Sequence, residues 1–106
     1  MVQVIRRGSF SGSGSAGIAK LKIENGILKL QTSSDFGVMT SPPDLRIYLG
    51  NNNSNITGAL EVASLTQRNG AQNWNIAHPN TITQYRYVIV WCKQFGGTYG
   101  VADLGN

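Results

Sequence analysis

The sequence predicts an all-β fold, a single-domain antiparallel β-sandwich or barrel of about eight strands that spans residues 1–106. Three observations support this. Strand-like apolar segments recur about every ten residues, with Gly, Pro and Asn between them. No stretch carries a helical period, apart from a single turn expected at 81–84. A chain of 106 residues is long enough for one hydrophobic core and too short for two.

The first elements are a strand at 2–7, a Gly/Ser-rich turn at 11–17 and a β-hairpin around Asn25-Gly26. Asn-Gly favours the two-residue type I′ turn, whose twist suits antiparallel strands. With Glu24 opposite Ile27, one face of the hairpin carries Leu21, Ile23, Leu28 and Leu30. A slip of one residue would mix the two faces, so the sequence specifies this register.

The other face of the hairpin is polar and carries Lys20, Lys22, Lys29 and Gln31. The same register places Lys22 directly opposite Lys29. Two like charges in that position repel each other. We therefore expect this face to be solvated.

The rest of the chain continues the strand pattern. The expected elements are a strand at 44–49 with Leu45, Ile47 and Leu49 on one face, a loop at 50–55, a strand (or alternatively a helix) at 56–65, a short strand around Trp74 and Ile76, a strand at 85–93 and a final strand at 95–104. Residues 85–93 are apolar on both faces, which is typical of a central strand.

Composition and charge exclude several classes of protein. Only 13% of the residues are charged, and the net charge of +4 comes from basic residues scattered along the chain. A nucleic-acid-binding protein would concentrate that charge on one face, so no nucleic-acid partner is expected. The longest apolar run, 88–92, is too short to span a membrane, and residues 1–10 lack the apolar core of a signal peptide.

Cys92 is the only cysteine and His78 the only histidine. An internal disulfide is therefore excluded, as are zinc and iron–sulfur sites built from several cysteines. A blue-copper site needs two histidines and a cysteine, so Cys92, His78 and Met39 are insufficient. No metal site is expected, and the acidic residues form no close pair for acid–base catalysis.

Several segments resemble the DM-thirteen domain family in order and spacing. They are 43–49 (PDLRIYL), 70–76 (GAQNWNI), 85–95 (YRYVIVWCKQF), the tail 99–104 (YGVADL) and the opening 8–10 (GSF). The resemblance covers nearly the whole chain. It implies a small β-rich module with a proposed electron-transfer role, of a kind often found beside DOMON domains in surface or secreted proteins.

Carried over to this sequence, the redox role falls on Cys92, with a neighbourhood of Trp91, Lys93, Phe95, Asp44 and Tyr48. A protein redox partner or a surface ligand is implied, since the chain has no second cysteine to resolve an oxidised Cys92. The resemblance also implies an extracytoplasmic location. The carboxylate of Asp44 is expected to accept hydrogen bonds from backbone amides in the loop before its strand.

Two readings of the function remain open at this point. In one, Cys92 cycles between a thiol and an oxidised or partner-bound form. In the other, the domain is a non-catalytic binding or adhesion module for glycan or protein, and Cys92 is a small core residue. No cofactor is evident, and a haem would need an axial ligand from Cys92, His78, Met39 or a tyrosine.

Overall fold

The computed structural model describes residues 2–12, 14–76 and 85–105, and within these ranges it contains strands and no helix. The eight strands are β1 (Val2–Ser11), β2 (Ile18–Glu24), β3 (Ile27–Thr32), β4 (Leu45–Gly50), β5 (Leu60–Ser64), β6 (Gln72–Asn75), β7 (Tyr87–Cys92) and β8 (Gly97–Asp103). The all-β prediction is confirmed, and 56–65 holds a strand rather than a helix. The turn expected at 81–84 and His78 lie outside the described residues.

All eight strands belong to one sheet, in the order β5-β4-β7-β8-β1-β2-β3-β6, and every neighbouring pair is antiparallel. The sheet curls into a nearly closed barrel, with β5 and β6 as its two edges. Outside the strands, segments 36–38 and 68–70 are hydrogen-bonded to each other. Val38 N–H donates to Arg68 O at 3.0 Å, and Gly70 N–H donates to Phe36 O at 2.9 Å. Nowhere in the described ranges does a helix have the length and apolar character to span a membrane.

The hairpin of β2 and β3 has the predicted register, with Leu21 opposite Leu30 and Lys22 opposite Lys29. Asn25 and Gly26 both have positive φ, 53° and 79°, as a type I′ turn requires. Glu24 relieves the repulsion between the lysines. Its Oε1 lies 3.3 Å from Lys22 Nζ and 3.7 Å from Lys29 Nζ.

Strand β1 joins the two halves of the sheet. Its first part pairs with β2, and its end pairs with β8 through Phe10 opposite Ala102. Gly8 lies where β1 approaches the end of β8, and a Cβ there would stand 2.0 Å from the carbonyl oxygen of Asp103. Only glycine fits so close an approach of two backbones. Gly8 therefore allows the sheet to close.

The inner face of the sheet forms one hydrophobic core. Leu21, Leu30, Ile47, Val88 and Val90 are among its members, and each is fully buried. As predicted, β7 is a central strand, lying between β4 and β8 with apolar residues on both faces. The core lies between the β1–β2–β3–β6 half and the β5–β4–β7–β8 half.

A second, smaller buried patch lies on the outer face of β4 and β7. Tyr48 and Ile89 are opposite each other across these strands, with only 3% and 0% of their surface exposed, although neither belongs to the inner core. The 51–59 loop returns to the sheet beside them, where a Cβ on Gly50 would lie 2.9 Å from Ala59 Cβ and 3.2 Å from Ile89 Cδ1. This loop therefore lies against the outside of the sheet.

Candidate functional site

Cys92 is the last residue of β7 and is completely buried, with its side chain in the inner core. It pairs with Leu45 on β4 and Gly97 on β8. Residues that pair across antiparallel strands point to the same face, with Cβ atoms about 4.5–5.5 Å apart. Gly97 has no side chain, and the Tyr99 ring occupies the space there, with Cε2 3.5 Å from where a Cβ on Gly97 would be. The half-buried Tyr99 thus covers the β8 side of Cys92.

The chain becomes exposed immediately after Cys92. Residues 93–96 form a turn in which every residue is exposed, and Phe95 has 63% of its surface accessible. Two backbone hydrogen bonds hold the turn, from Gly96 N–H to Cys92 O and from Lys93 N–H to Asp44 O, both 2.8 Å. The sulfur-bearing residue is therefore buried, one residue from a solvated turn.

Charged side chains form a network on the outer face of β4, β5 and β7, centred on Glu61. Its carboxylate lies 3.0 Å from Arg46 Nη1 and 3.3 Å from Lys93 Nζ, and it accepts a 3.2 Å hydrogen bond from the hydroxyl of Tyr48. Arg46 Nε also donates to Asp44 Oδ1 at 2.8 Å. Thus the guanidinium of Arg46, rather than a loop amide as expected, is the partner of the Asp44 carboxylate. Arg46 comes two residues later and lies within reach of that carboxylate.

The network shifts the ionisation of its members. Partial burial opposes ionisation of Glu61, but hydrogen bonds from Lys93 and Tyr48 and the nearby positive charges hold its pKa below the usual value. The hydrogen bond from Arg46 lowers the pKa of Asp44. Burial, and next the negative charge of Glu61, raise the pKa of Tyr48. At neutral pH the two carboxylates are therefore charged and the phenol is neutral.

The structure brings together three of the five residues predicted to surround Cys92. Asp44, Tyr48 and Lys93 belong to the outer network, and Trp91 shares this face, opposite Arg46. Phe95 projects from the exposed turn. The sheet separates the outer network from the side chain of Cys92.

Sequence reasoning missed Arg46 and Glu61 as members of this neighbourhood. Alternation along β4 could have indicated Arg46, since it shares a face with Tyr48. Glu61 could not be identified in this way, because the pairing of β4 with β5 shifts register between Ile47 and Tyr48. That bulge places Glu61 opposite Tyr48.

Among the described residues, no three His, Cys, Asp or Glu side chains lie close enough together to hold a metal ion. Nor do they fit a haem ligated by Cys92. Its side chain has no exposed surface and packs within an apolar core, which leaves the sulfur no open side for an iron atom. His78, the other strong axial ligand considered, lies outside the described residues.

Comparison with known proteins identifies the family. A family model described as "Electron transfer DM13" matches residues 6–104. The chain belongs to this family. The match runs from the middle of β1 to the residue after β8, which is nearly the whole chain. Searches of curated proteins and of solved structures each found no match.

Proposed function

We propose that this DM13 domain exchanges electrons with a partner protein at an extracytoplasmic surface, and that Cys92 is the residue through which it does so. The family match over residues 6–104 is the observation that carries the electron-transfer role. Cys92 is the only sulfur in the chain capable of thiol chemistry. The partner therefore supplies the second sulfur.

The step is a thiol–disulfide exchange with a disulfide of the partner. The Cys92 thiolate attacks one partner sulfur, a new S–S bond forms and the partner's own S–S bond breaks. The leaving sulfur departs as a thiolate and takes up a proton. The Cys92 sulfur is thereby oxidised and the leaving sulfur reduced. A thiolate of a second partner then attacks the first partner's sulfur in the mixed disulfide, forms an S–S bond with it and releases Cys92 as a thiolate, so electrons pass from the second partner to the first.

This chemistry requires the 93–96 turn to open, because Cys92 is fully buried in the closed fold. Short exposed segments held by few hydrogen bonds open locally at a lower free energy than global unfolding requires. Two backbone hydrogen bonds hold this turn, and the exposed ion pair of Lys93 with Glu61 adds a third tether. Glu61 therefore restrains access to Cys92 from the opposite face of the sheet.

The rate at which iodoacetamide alkylates Cys92 in the folded protein tests the proposal. Glu61→Gln removes the charge that holds Lys93, and we expect it to accelerate alkylation severalfold. Glu24→Gln is the matched control, since it removes an ion-pairing carboxylate from the β2–β3 hairpin, and it should leave the rate unchanged.

A second pair of variants tests access from the β8 side. Tyr99→Ala removes the ring beside Cys92 and should also accelerate alkylation, whereas Tyr87→Ala, on the outer face of β7, should not. Equal rates in all four variants, with reaction only after unfolding, would contradict the proposal. The alternative would then be favoured, a non-catalytic module for glycan or protein in which Cys92 is structural.

A further inference from the structure

A polar cleft of about 460 Å³ lies on the outer face of β1, β7 and β8, away from Cys92. Its volume falls in the range of roughly 300–1,000 Å³ found for small-molecule sites. The floor is the sheet, because Ser9 and Ser11 alternate with the inward-facing Phe10. One wall is the 51–59 loop, which contributes Asn53. The rest of the lining is Gly12, Tyr87, Thr98, Gly100, Val101 and Asp103.

The loop that forms this wall is fixed to the sheet. Thr98 Oγ1 donates to the carbonyl of Ser54 at 2.9 Å, and Arg86 N–H donates to Asn51 Oδ1 at 3.0 Å. Within the loop, Asn52 Oδ1 accepts from Ser54 N–H and Asn55 Oδ1 accepts from Thr57 N–H, both at 2.9 Å. These Asx turns hold the loop in one shape. The cleft is therefore largely formed before any ligand arrives.

Three polar side chains in the cleft have unused hydrogen-bonding capacity. The hydroxyls of Ser9 and Tyr87 and the amide of Asn53 make no hydrogen bond to any other residue in the described part of the chain. Each hydroxyl can donate one hydrogen bond and accept two, and the amide offers both a donor group and an acceptor oxygen. A ligand in the cleft would thus meet neutral donors and acceptors from three directions.

Among the described residues that line the cleft, the only charged group is already neutralised. Asp103 Oδ1 and Oδ2 each lie 3.0 Å from a nitrogen of the Arg86 guanidinium, and Oδ1 also accepts from Gly105 N–H at 2.8 Å. The hydrogen bond from Arg86 lowers the pKa of Asp103 and keeps this pair ionised. The described part of the lining therefore offers a charged ligand no unpaired opposite charge.

We propose that this cleft binds a neutral saccharide unit. Sugar hydroxyls donate and accept hydrogen bonds around the whole edge of the ring, which matches the groups of Ser9, Asn53 and Tyr87. One face of the Tyr87 ring is covered by the guanidinium of Arg86, 5.3 Å from the ring centroid. The other face of the ring can pack against the C–H face of a sugar beside its polar tip. Sugar binding here is separate from the redox chemistry of Cys92, because the Cys92 side chain lies on the inner face of the sheet and the cleft on the outer face.

Titration of the labelled protein with maltose, cellobiose, lactose and diacetylchitobiose, followed by amide NMR shifts, tests the proposal. We expect at least one disaccharide to shift the amides of Ser9, Asn53, Tyr87, Thr98 and Val101 together. Loss of a single neutral hydrogen bond weakens an interaction about threefold to tenfold. Asn53→Ala and Tyr87→Phe should each weaken binding by that factor.

Two matched controls carry the same chemical changes elsewhere. They are Asn73→Ala and Tyr85→Phe. Asn73 lies on β6 and Tyr85 packs against the core, so neither change should alter the affinity for the disaccharide. The proposal is overturned if none of the four sugars shifts these amides at high millimolar concentration, or if the shifts map to another surface. Repeating the titration on Cys92→Ala, which removes the thiol without adding volume to the core, separates this result from the redox proposal.

Discussion

Replacing Gly8 with alanine should disrupt closure of the barrel. A Cβ at this position would stand 2.0 Å from Asp103 O and 2.6 Å from Asp103 C, whereas real Cβ atoms essentially never approach closer than 3.0 Å. Both obstructing atoms are backbone, so no side chain can rotate away. Strands β1 and β8 must move apart, which weakens the pairing of Phe10 with Ala102.

The expected loss of stability is about 3 kcal/mol, the upper part of the range for overpacking in a rigid environment. Urea denaturation followed by far-UV circular dichroism measures it. Gly37→Ala is the matched control, because its Cβ would meet nothing within 4 Å and its φ is not positive. That variant should stay within about 0.5 kcal/mol of the parent protein. A Gly8→Ala variant as stable as Gly37→Ala would refute this account of how the sheet closes.

Three further predictions concern charged and phenolic groups. The pKa of Glu61 is lower in the folded protein, so ionised Glu61 stabilises the fold above its unfolded pKa, and this stabilisation is lost as pH falls through the folded pKa. The free energy of unfolding of Glu61→Gln should therefore fall less on acidification than that of the parent protein, by at most about 1 kcal/mol after solvent screening. Because the pKa of Tyr48 is raised, ultraviolet titration should show a tyrosine that ionises above pH 10, and Tyr48→Phe should remove this late step. Glu24→Gln should leave Lys22 and Lys29 in unrelieved repulsion and lower the melting temperature slightly at low salt, and added salt should abolish that difference.

Local sequence signals were sufficient for the β2–β3 hairpin and for the central position of β7. The Asn25-Gly26 turn and the two-residue period act over a few residues, so they determine register without knowledge of the rest of the fold. The order of the strands was not predictable in this way. Placing β1 between β8 and β2 depends on contacts between distant parts of the chain, which no local period encodes.

The candidate site was predictable only in part, for a similar reason. Alternation along β4 places Tyr48 on the outer face of the sheet. In a sheet with one solvated face, that position predicts a solvent-exposed side chain. In the structure Tyr48 is only 3% exposed, and the 51–59 loop lies against the same face near Gly50, Ala59 and Ile89. The role of Glu61 depends on a bulge in the β4–β5 pairing. Neither the path of the loop nor the bulge is encoded by a local period.

The denaturant dependence of Cys92 alkylation under native conditions tests the central claim most directly. If the 93–96 turn opens locally, the free energy of opening should be well below that of global unfolding and should change little with urea, because little surface is exposed. If Cys92 reacts only with the full denaturant dependence of global unfolding, the turn does not give a partner access to the sulfur. That result would contradict electron exchange through Cys92.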